Sequence, residues 1–278
     1  MKKGVPTLVK WAGGKKQLLE QFKPLFPKKI TTYLEPFVGG GAVAFYIIKK
    51  YKPRKVILSD VNEELINAYN IVKTDVESLI MELKQHKEYH LADKENYYYE
   101  IRGVNPNLLP PLERAARFIY LNKTCFNGLY RVNSKGGFNV PIGDQKNPGV
   151  CMEEDLREIS KLLKKATINV MPFEKIVKLV KKGNFIYFDP PYYPLPGKSS
   201  FTTYSKNKFL GEEQEKLAEI FKKLDKKGCK VMLSNSDTKF IKDLYNDYKP
   251  IKKVNARRMI NCNASKRGKI KEVVITNY

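Results

Sequence analysis

An apolar run that ends against two prolines constrains this chain more than any other stretch. Asn184-Phe185-Ile186-Tyr187-Phe188 is aromatic and β-branched, follows Gly183, and reads as a buried strand by composition and length. Pro190 and Pro191 donate no backbone hydrogen bond and hold φ near roughly −65°, so the strand stops and the chain leaves the sheet in one stiff conformation. Asp189 is thereby delivered to the carboxyl end of a strand, the side of an open α/β sheet where ligands bind. A carboxylate, the Pro190 carbonyl and the ring of Tyr192 then form one rigid unit with two acceptors and a stacking face. That unit suits an amino group on a flat heterocycle.

The same strand-then-turn rhythm recurs along the chain. Residues 31–37 read as a strand, Val38-Gly39-Gly40-Gly41 as a turn and 42–48 as a helix, which is the first half of a doubly wound nucleotide-binding unit. Lys55–Asp60 is a second strand ending in an acid, placed where the two oxygens of Asp60 can accept both ribose hydroxyls of a nucleoside. The competing reading of Asp60 is a helix N-cap, because a helix starts near Asn62. Ala166–Val170 is a third parallel strand; 229–233 is a strand followed by a turn over 234–237, and 250–254 with 271–276 can pair antiparallel at the sheet edge.

Between residues 63 and 121 the apolar spacing turns helical with no strand, so this stretch interrupts the alternation as an inserted helical module. It ends in two short alternating runs around Ser134-Lys135-Gly136-Gly137, a β-hairpin carrying Phe126, Asn127, Arg131 and Lys135. Basic and amide side chains beside aromatics on a hairpin suit groove contacts. Beyond Tyr192, residues 193–208 form a long polar loop at the ligand end of the sheet, and a basic loop carries Arg257, Arg258, Lys266, Arg267 and Lys269.

Charge points the same way: 52 Lys and Arg against 29 Asp and Glu give 52 − 29 = +23, which favours a polyanionic partner. No apolar run approaches a membrane span, and Met1-Lys2-Lys3-Gly4 leads into Pro6 and not into a signal-peptide apolar region, so a soluble cytoplasmic protein is expected. Cys125, Cys151, Cys229 and Cys262 are far apart with no C-x-x-C pair, which indicates neither a disulfide framework nor a zinc site. His86 and His90 share a helix face without a third ligand and are expected to be exposed, leaving no histidine for catalysis.

Four motifs give the chain a family resemblance. Lys10-Trp11-Ala12-Gly13-Gly14-Lys15, Phe37-Val38-Gly39-Gly40-Gly41, Phe126-Asn127-Gly128-Leu129-Tyr130-Arg131 and Asp189-Pro190-Pro191-Tyr192 occur in the order of the Dam-type, class α DNA adenine-N6 methyltransferases. The resemblance implies a Rossmann-like methyltransferase sheet with an inserted DNA-recognition module, catalytic residues 1–62 and 150–278 and recognition residues 63–149. It implies S-adenosylmethionine as methyl donor, with no metal, contacted by Trp11, Lys15, Phe37, Gly39, Gly41, Asp60 and Asp189. Asp189, Pro190 and Tyr192 take catalytic roles, and Lys10, Phe126, Asn127, Leu129, Arg131 and Pro141 contact double-stranded DNA at G-A-T-C.

The family pattern breaks after the hairpin. Asp144-Gln145 stands where relatives commonly carry a basic and an aromatic residue, and Met171-Pro172-Phe173-Glu174 stands where an acid often lies near the cofactor adenine; Phe173 is left to flank that ring. The resemblance is compatible with a monomer in a prokaryotic cytoplasm, associated with the nucleoid and accompanied by a cognate restriction endonuclease. Two other readings stay open: methylation of RNA adenine or cytosine N4, and a DNA-binding protein that retains the cofactor without turnover.

Overall fold

In a computed structural model of the chain, the structure describes residues 4–134, 136–195, 209–257 and 269–278. Seven strands form one sheet: β1 (Thr32–Glu35), β2 (Lys55–Asp60), β3 (Ala166–Val170), β4 (Phe185–Phe188), β5 (Lys230–Ser236), β6 (Lys252–Arg257) and β7 (Lys269–Thr276). Their order across the sheet is β3-β2-β1-β4-β5-β7-β6. The first five run parallel, and β7 pairs antiparallel with both β5 and β6. The expected doubly wound sheet with an antiparallel edge pair is therefore present.

Alternation along the strands sends residues to two separate cores. Tyr33, Val56, Leu58, Phe185 and Tyr187 face one side; Leu34, Ile57, Ile186, Phe188 and Val231 face the other. The second face is covered by α8 (Gly211–Lys226), through Leu217, Phe221 and Leu224, and by Ile241 of α9 (Lys239–Leu244). The first is covered by α2 (Ala42–Tyr51), α3 (Glu63–Thr74), α6 (Pro111–Thr124) and α7 (Glu153–Leu163), with α4 (Val76–Ala92) and α5 (Lys94–Gly103) packed outside them. Leu65, Tyr69, Val72, Leu83, Tyr98, Ala116 and Ile119 belong to the same buried cluster as Tyr33 and Phe45, so sheet and helices share one continuous core.

Three expectations change. The stretch expected as a turn over 234–237 continues β5 through Ser236, because Ser234, Asn235 and Ser236 pair with Val274, Val273 and Glu272 of β7, which offers their backbone groups a ladder. The helix expected after Gly13-Gly14 is a 3₁₀ turn over Lys15–Leu18 that runs into the single-turn α1 (Leu19–Phe22). His90 is buried, not exposed: its Nδ1 lies 2.9 Å from the Tyr120 hydroxyl, while His86 stacks on the Tyr120 ring and lies 2.7 Å from the Tyr97 hydroxyl. Burial pushes the His86 imidazole down to about 4.

The segment ahead of β1 has little regular structure, yet it is pinned. Asn122, buried on α6, accepts from Lys10 N (2.8 Å) and donates to Lys10 O (2.8 Å) and Gly128 O (3.1 Å), so one side chain ties the N-terminal strap to the helix and to the hairpin base. Asn122→Ala would strand two carbonyls and one N–H in a part-buried site. A loss of about 2–3 kcal/mol is expected from roughly 1 kcal/mol or more per orphaned group, read as a shift in urea midpoint with unchanged slope.

Candidate active site

The strand order reverses between β1 and β4, which are neighbours whose connections leave in opposite directions. That geometry opens a crevice outside their carboxyl ends. Glu35 is the last residue of β1 and Asp189 follows the last residue of β4, so two carboxyl groups meet there. Both line a cavity of about 1670 Å³ that runs from the Trp11–Lys15 strap past the glycine turn to Asn105–Asn107 and the hairpin residues Tyr130 and Phe138.

Lys15 enters this crevice almost wholly buried, 3% exposed, with Nζ 2.8 Å from Asp189 Oδ1. It also donates to Gly13 O and lies 4.7 Å from the centroid of the Tyr192 ring. The ion pair is not an aligned hydrogen bond, so Oδ1 keeps unused accepting capacity. Burial pushes the Asp189 carboxyl up to about 6 against the pull of the Lys15 ammonium. Burial also holds Glu35 well above the usual carboxylate range, although the Tyr33 hydroxyl donates to Oε2 at 2.7 Å.

The loop after Asp189 is held from the opposite side. Gln214 donates to the Pro191 carbonyl at 2.9 Å, Asn235 donates to Gln214 at 2.9 Å, and Asn235 Oδ1 accepts from Tyr193 N at 3.2 Å. Among the described residues no hydrogen bond reaches the Pro190 carbonyl. The Tyr192 hydroxyl donates to Glu272 Oε2 at 2.8 Å.

The glycine turn is shaped by its own protein. Gly39 and Gly41 have positive φ (47° and 78°), and a Cβ at 39 would lie 2.6 Å from Trp11 Cδ1, one at 41 2.5 Å from the Tyr69 hydroxyl and 2.6 Å from Phe45 Cε2. Tyr69 donates to Gly39 O at 2.9 Å and props the turn from below. Phe37 stacks on Phe173 at 5.5 Å and lines the cavity. Asp60 is not the cap of α3; Asn62 is, accepting from Leu65 N. Asp60 instead accepts from Asn62 N (3.0 Å) and more weakly from Gly39 N (3.4 Å), with its carboxyl pushed up to about 6 by burial.

In the expected hairpin, Val132 and Phe138 bridge, and Asn133 N donates to Gly137 O across the turn, so the hairpin exists with a very short ladder. Trp11 stacks on Tyr130 (5.8 Å) and packs against the glycine turn, which places it between that turn and the hairpin. Asn127 is exposed on the cavity wall at φ 55°, a left-handed conformation that asparagine tolerates. Arg131 is exposed and gripped by Asn139: Nε donates to Oδ1 at 2.7 Å and Nη2 to the backbone O at 3.1 Å.

Lys10, Trp11, Lys15, Phe37, Gly39, Gly41, Asp60, Asn127, Asp189, Pro190 and Tyr192 therefore border one cavity. Phe126, Leu129, Arg131 and Pro141 do not; Phe126 and Leu129 lean half-buried on the core, and the Pro141 carbonyl accepts from Phe126 N at 2.9 Å. Asp144 is exposed and Gln145 reaches the cavity rim. Lys135, residues 196–208 of the expected loop, and Arg258, Lys266 and Arg267 lie outside the described residues. The sequence reading did not single out Glu35, Tyr69, Asn122 or Glu272; only Asn122 left a trace, a polar residue on an otherwise apolar helix face. Among the described residues no group of three His, Cys, Asp or Glu side chains could hold a metal, and no helix is long and apolar enough to cross a membrane.

The family model described as "D12 class N6 adenine-specific DNA methyltransferase" matches residues 11–260. The chain is 48% identical over 288 residues to the type II methyltransferase M.MjaIII of Methanocaldococcus jannaschii, covering 99% of each. It is 43% identical to the type II methyltransferase M1.LlaDCHI of Lactococcus lactis subsp. cremoris (97% of this chain, 94% of that one). It is 39% identical to a DNA adenine methylase of Haemophilus influenzae (96% and 91%).

The buried acid has a titration signature. In ligand-free protein the Asp189 carboxyl carbon should titrate near 6, and Lys15→Met should raise that value because burial is then unopposed. The folded value lies above the usual 3.8, so this group's contribution to stability is full below about 4 and is lost as pH rises through about 6. Carbon-13 NMR of labelled aspartate reads both proteins; an unchanged or lower value in Lys15→Met would contradict the pairing.

Proposed function

The chain belongs to the D12 class N6 adenine-specific DNA methyltransferases and transfers a methyl group from S-adenosylmethionine to adenine in DNA; from that premise we propose that it acts on adenine in duplex G-A-T-C, swinging the base into the cavity beside Asp189. Membership favours this reading over the RNA, cytosine-N4 and non-catalytic alternatives. The observation that carries the proposal is the unit Asp189, Pro190 and Tyr192 at the β1–β4 crevice, in a cavity continuous with the hairpin.

The residues fit the donor. Asp189 Oδ1 is a buried acceptor with capacity to spare, Asp60 is free of capping duty beside the glycine turn, and Trp11 and Phe37 supply apolar walls. Bound there, S-adenosylmethionine supplies an electrophilic sulfonium methyl. Asp60 would hold the ribose hydroxyls, the Gly39–Gly41 turn the methionine end, and Glu35, at the tip of β1, would face that same end.

Adenine N6 is a weak nucleophile because its lone pair is delocalised into the ring. When Asp189 and the Pro190 carbonyl accept its two N–H groups, they favour a pyramidal nitrogen and leave the lone pair aimed at the methyl carbon. The C–S bond breaks as the N–C bond forms, and the proton then shed by N6 passes through Asp189 to solvent. Placement then supplies most of the rate. Lys15 would yield Oδ1 to the incoming amino group while remaining beside the carboxylate as its counter-charge. Extruding the base costs roughly a few kcal/mol, and stacking on Tyr192 returns roughly 1–3 kcal/mol.

Residues 63–149 act in this reading as the target-recognition module. Asn139 takes the side-on edge of Arg131 and leaves its end-on pair of nitrogens for guanine O6 and N7. Lys10, Phe126, Asn127, Leu129 and Pro141 would contact the duplex around the extruded base, with Phe126 swinging from its half-buried seat to fill the gap. The type II names of two relatives support pairing with a cognate restriction endonuclease. The enzyme would work as a nucleoid-associated monomer.

Asp189→Ala should lower single-turnover methyl transfer by at least about 10³-fold while weakening cofactor binding about tenfold or less. Arg131→Ala should shrink discrimination against a replaced guanine by about 10- to 100-fold, the worth of one bidentate contact. Sequencing methylated positions in exposed DNA reads the target directly; methylation outside G-A-T-C by the parent enzyme would overturn the specificity.

A further inference from the structure

Strand β7 brings a carboxylate to the cavity from outside the parallel sheet. Glu272 sits opposite Ser236 of β5 and Val254 of β6. Val273 and Ile275 pack on the α8 face, whereas Val274 and therefore Glu272, two residues away, point to the opposite face, where Tyr187 lies. The side chain is half-buried and borders the cavity. Its Oε2 accepts the Tyr192 hydroxyl at 2.8 Å, across 80 residues of sequence.

This arrangement is electrostatically adverse, since Glu272 brings a further carboxyl group near Asp189, which has a single buried ammonium beside it, and helps to push the Asp189 carboxyl up. Bracing the sheet edge needs no such group; the backbone ladder to both neighbours already does that. Glu272 supplies a strong acceptor, at 2.8 Å, at the far end of the Tyr192 ring, whose hydroxyl also lies close to Asp189. The Lys15 ammonium, 4.7 Å from the centroid, lies over that ring, so the ring is held at its hydroxyl tip and lies under a cation.

We propose that Glu272 is a positioning residue that fixes the plane of the Tyr192 ring, so that an extruded adenine meets a preset stacking surface. The proposal rests on Tyr192 being that surface. Losing the bond frees rotation of the ring and loosens capture of the base while leaving the cofactor contacts intact. The effect should therefore fall on the DNA steps and not on cofactor affinity.

The test uses full-length protein, duplexes carrying 2-aminopurine at the target position, and single-turnover methyl transfer. Glu272→Ala should lower transfer per KM for DNA about tenfold and cut the 2-aminopurine signal to the same degree, with cofactor affinity within twofold. Glu272→Gln, which retains an acceptor, should stay within about threefold of the parent. Tyr192→Phe deletes the same bond from the other end without touching β7, together with the hydroxyl's contact to Asp189, and should lose at least as much as Glu272→Ala, while the double variant should lose no more than Tyr192→Phe alone. Additive losses, a Gln variant as weak as Ala, or a normal signal in Tyr192→Phe would overturn the positioning role. Tyr192→Ala separates the two readings: if it keeps the full signal, the stacking assignment itself fails, whereas a lost signal there with a normal Tyr192→Phe removes only Glu272.

Discussion

Burying a carboxylate is costly unless an opposite charge or firm donors come with it, and Asp189 depends on Lys15 for that. Around the pair the crevice is rich in acceptors: Glu35 at the tip of β1, Asp60 at the tip of β2 and Glu272 on β7 all border it. Acceptors held in place by a rigid sheet, with burial raising the carboxyl pKa values, amount to a site pre-set for a ligand carrying N–H donors and positive charge. Adenine's amino group and a sulfonium donor have those properties. The strand reversal at β1–β4 concentrates these acids in one place, because it alone leaves adjacent strand tips with diverging connections.

The hairpin and its flanking helices are joined to this crevice by side chains. Asn122 binds both backbone groups of Lys10 and the carbonyl of Gly128, and Trp11 sits between Tyr130 and the glycine turn. Tyr69 of α3 reaches the same turn from below. The helices around the hairpin base therefore also shape the glycine turn through packed, hydrogen-bonded contacts. Arg131 illustrates the same economy: Asn139 occupies one edge of its guanidinium and leaves the other outward.

Much of this was legible in the linear chain because it is local. Apolar alternation marked β2 and β3 to the residue, Pro190 and Pro191 stopped β4, and glycines marked a turn that does carry positive φ at 39 and 41. The reason for those glycines was not legible: a Cβ would strike Trp11, Tyr69 and Phe45, residues 4 to 28 positions away in sequence. Ser234, Asn235 and Ser236 looked like a turn by composition and became buried strand once β7 satisfied their backbone. His86 and His90 likewise looked like surface residues and are held against Tyr97 and Tyr120.

The sequence alone determined where β2, β3 and β4 end and that Asp60 and Asp189 stand at two of those ends, since chain stiffness and side-chain period act over a few neighbouring residues. Folding decided which of those acids meet and what each one touches. Lys15 finds Asp189, Asn122 finds Lys10 and Glu272 finds Tyr192 across separations of 174, 112 and 80 positions. Nothing in the local pattern encodes such partners, because a buried polar group is satisfied by whichever donor or acceptor the packed layers bring within about 3 Å.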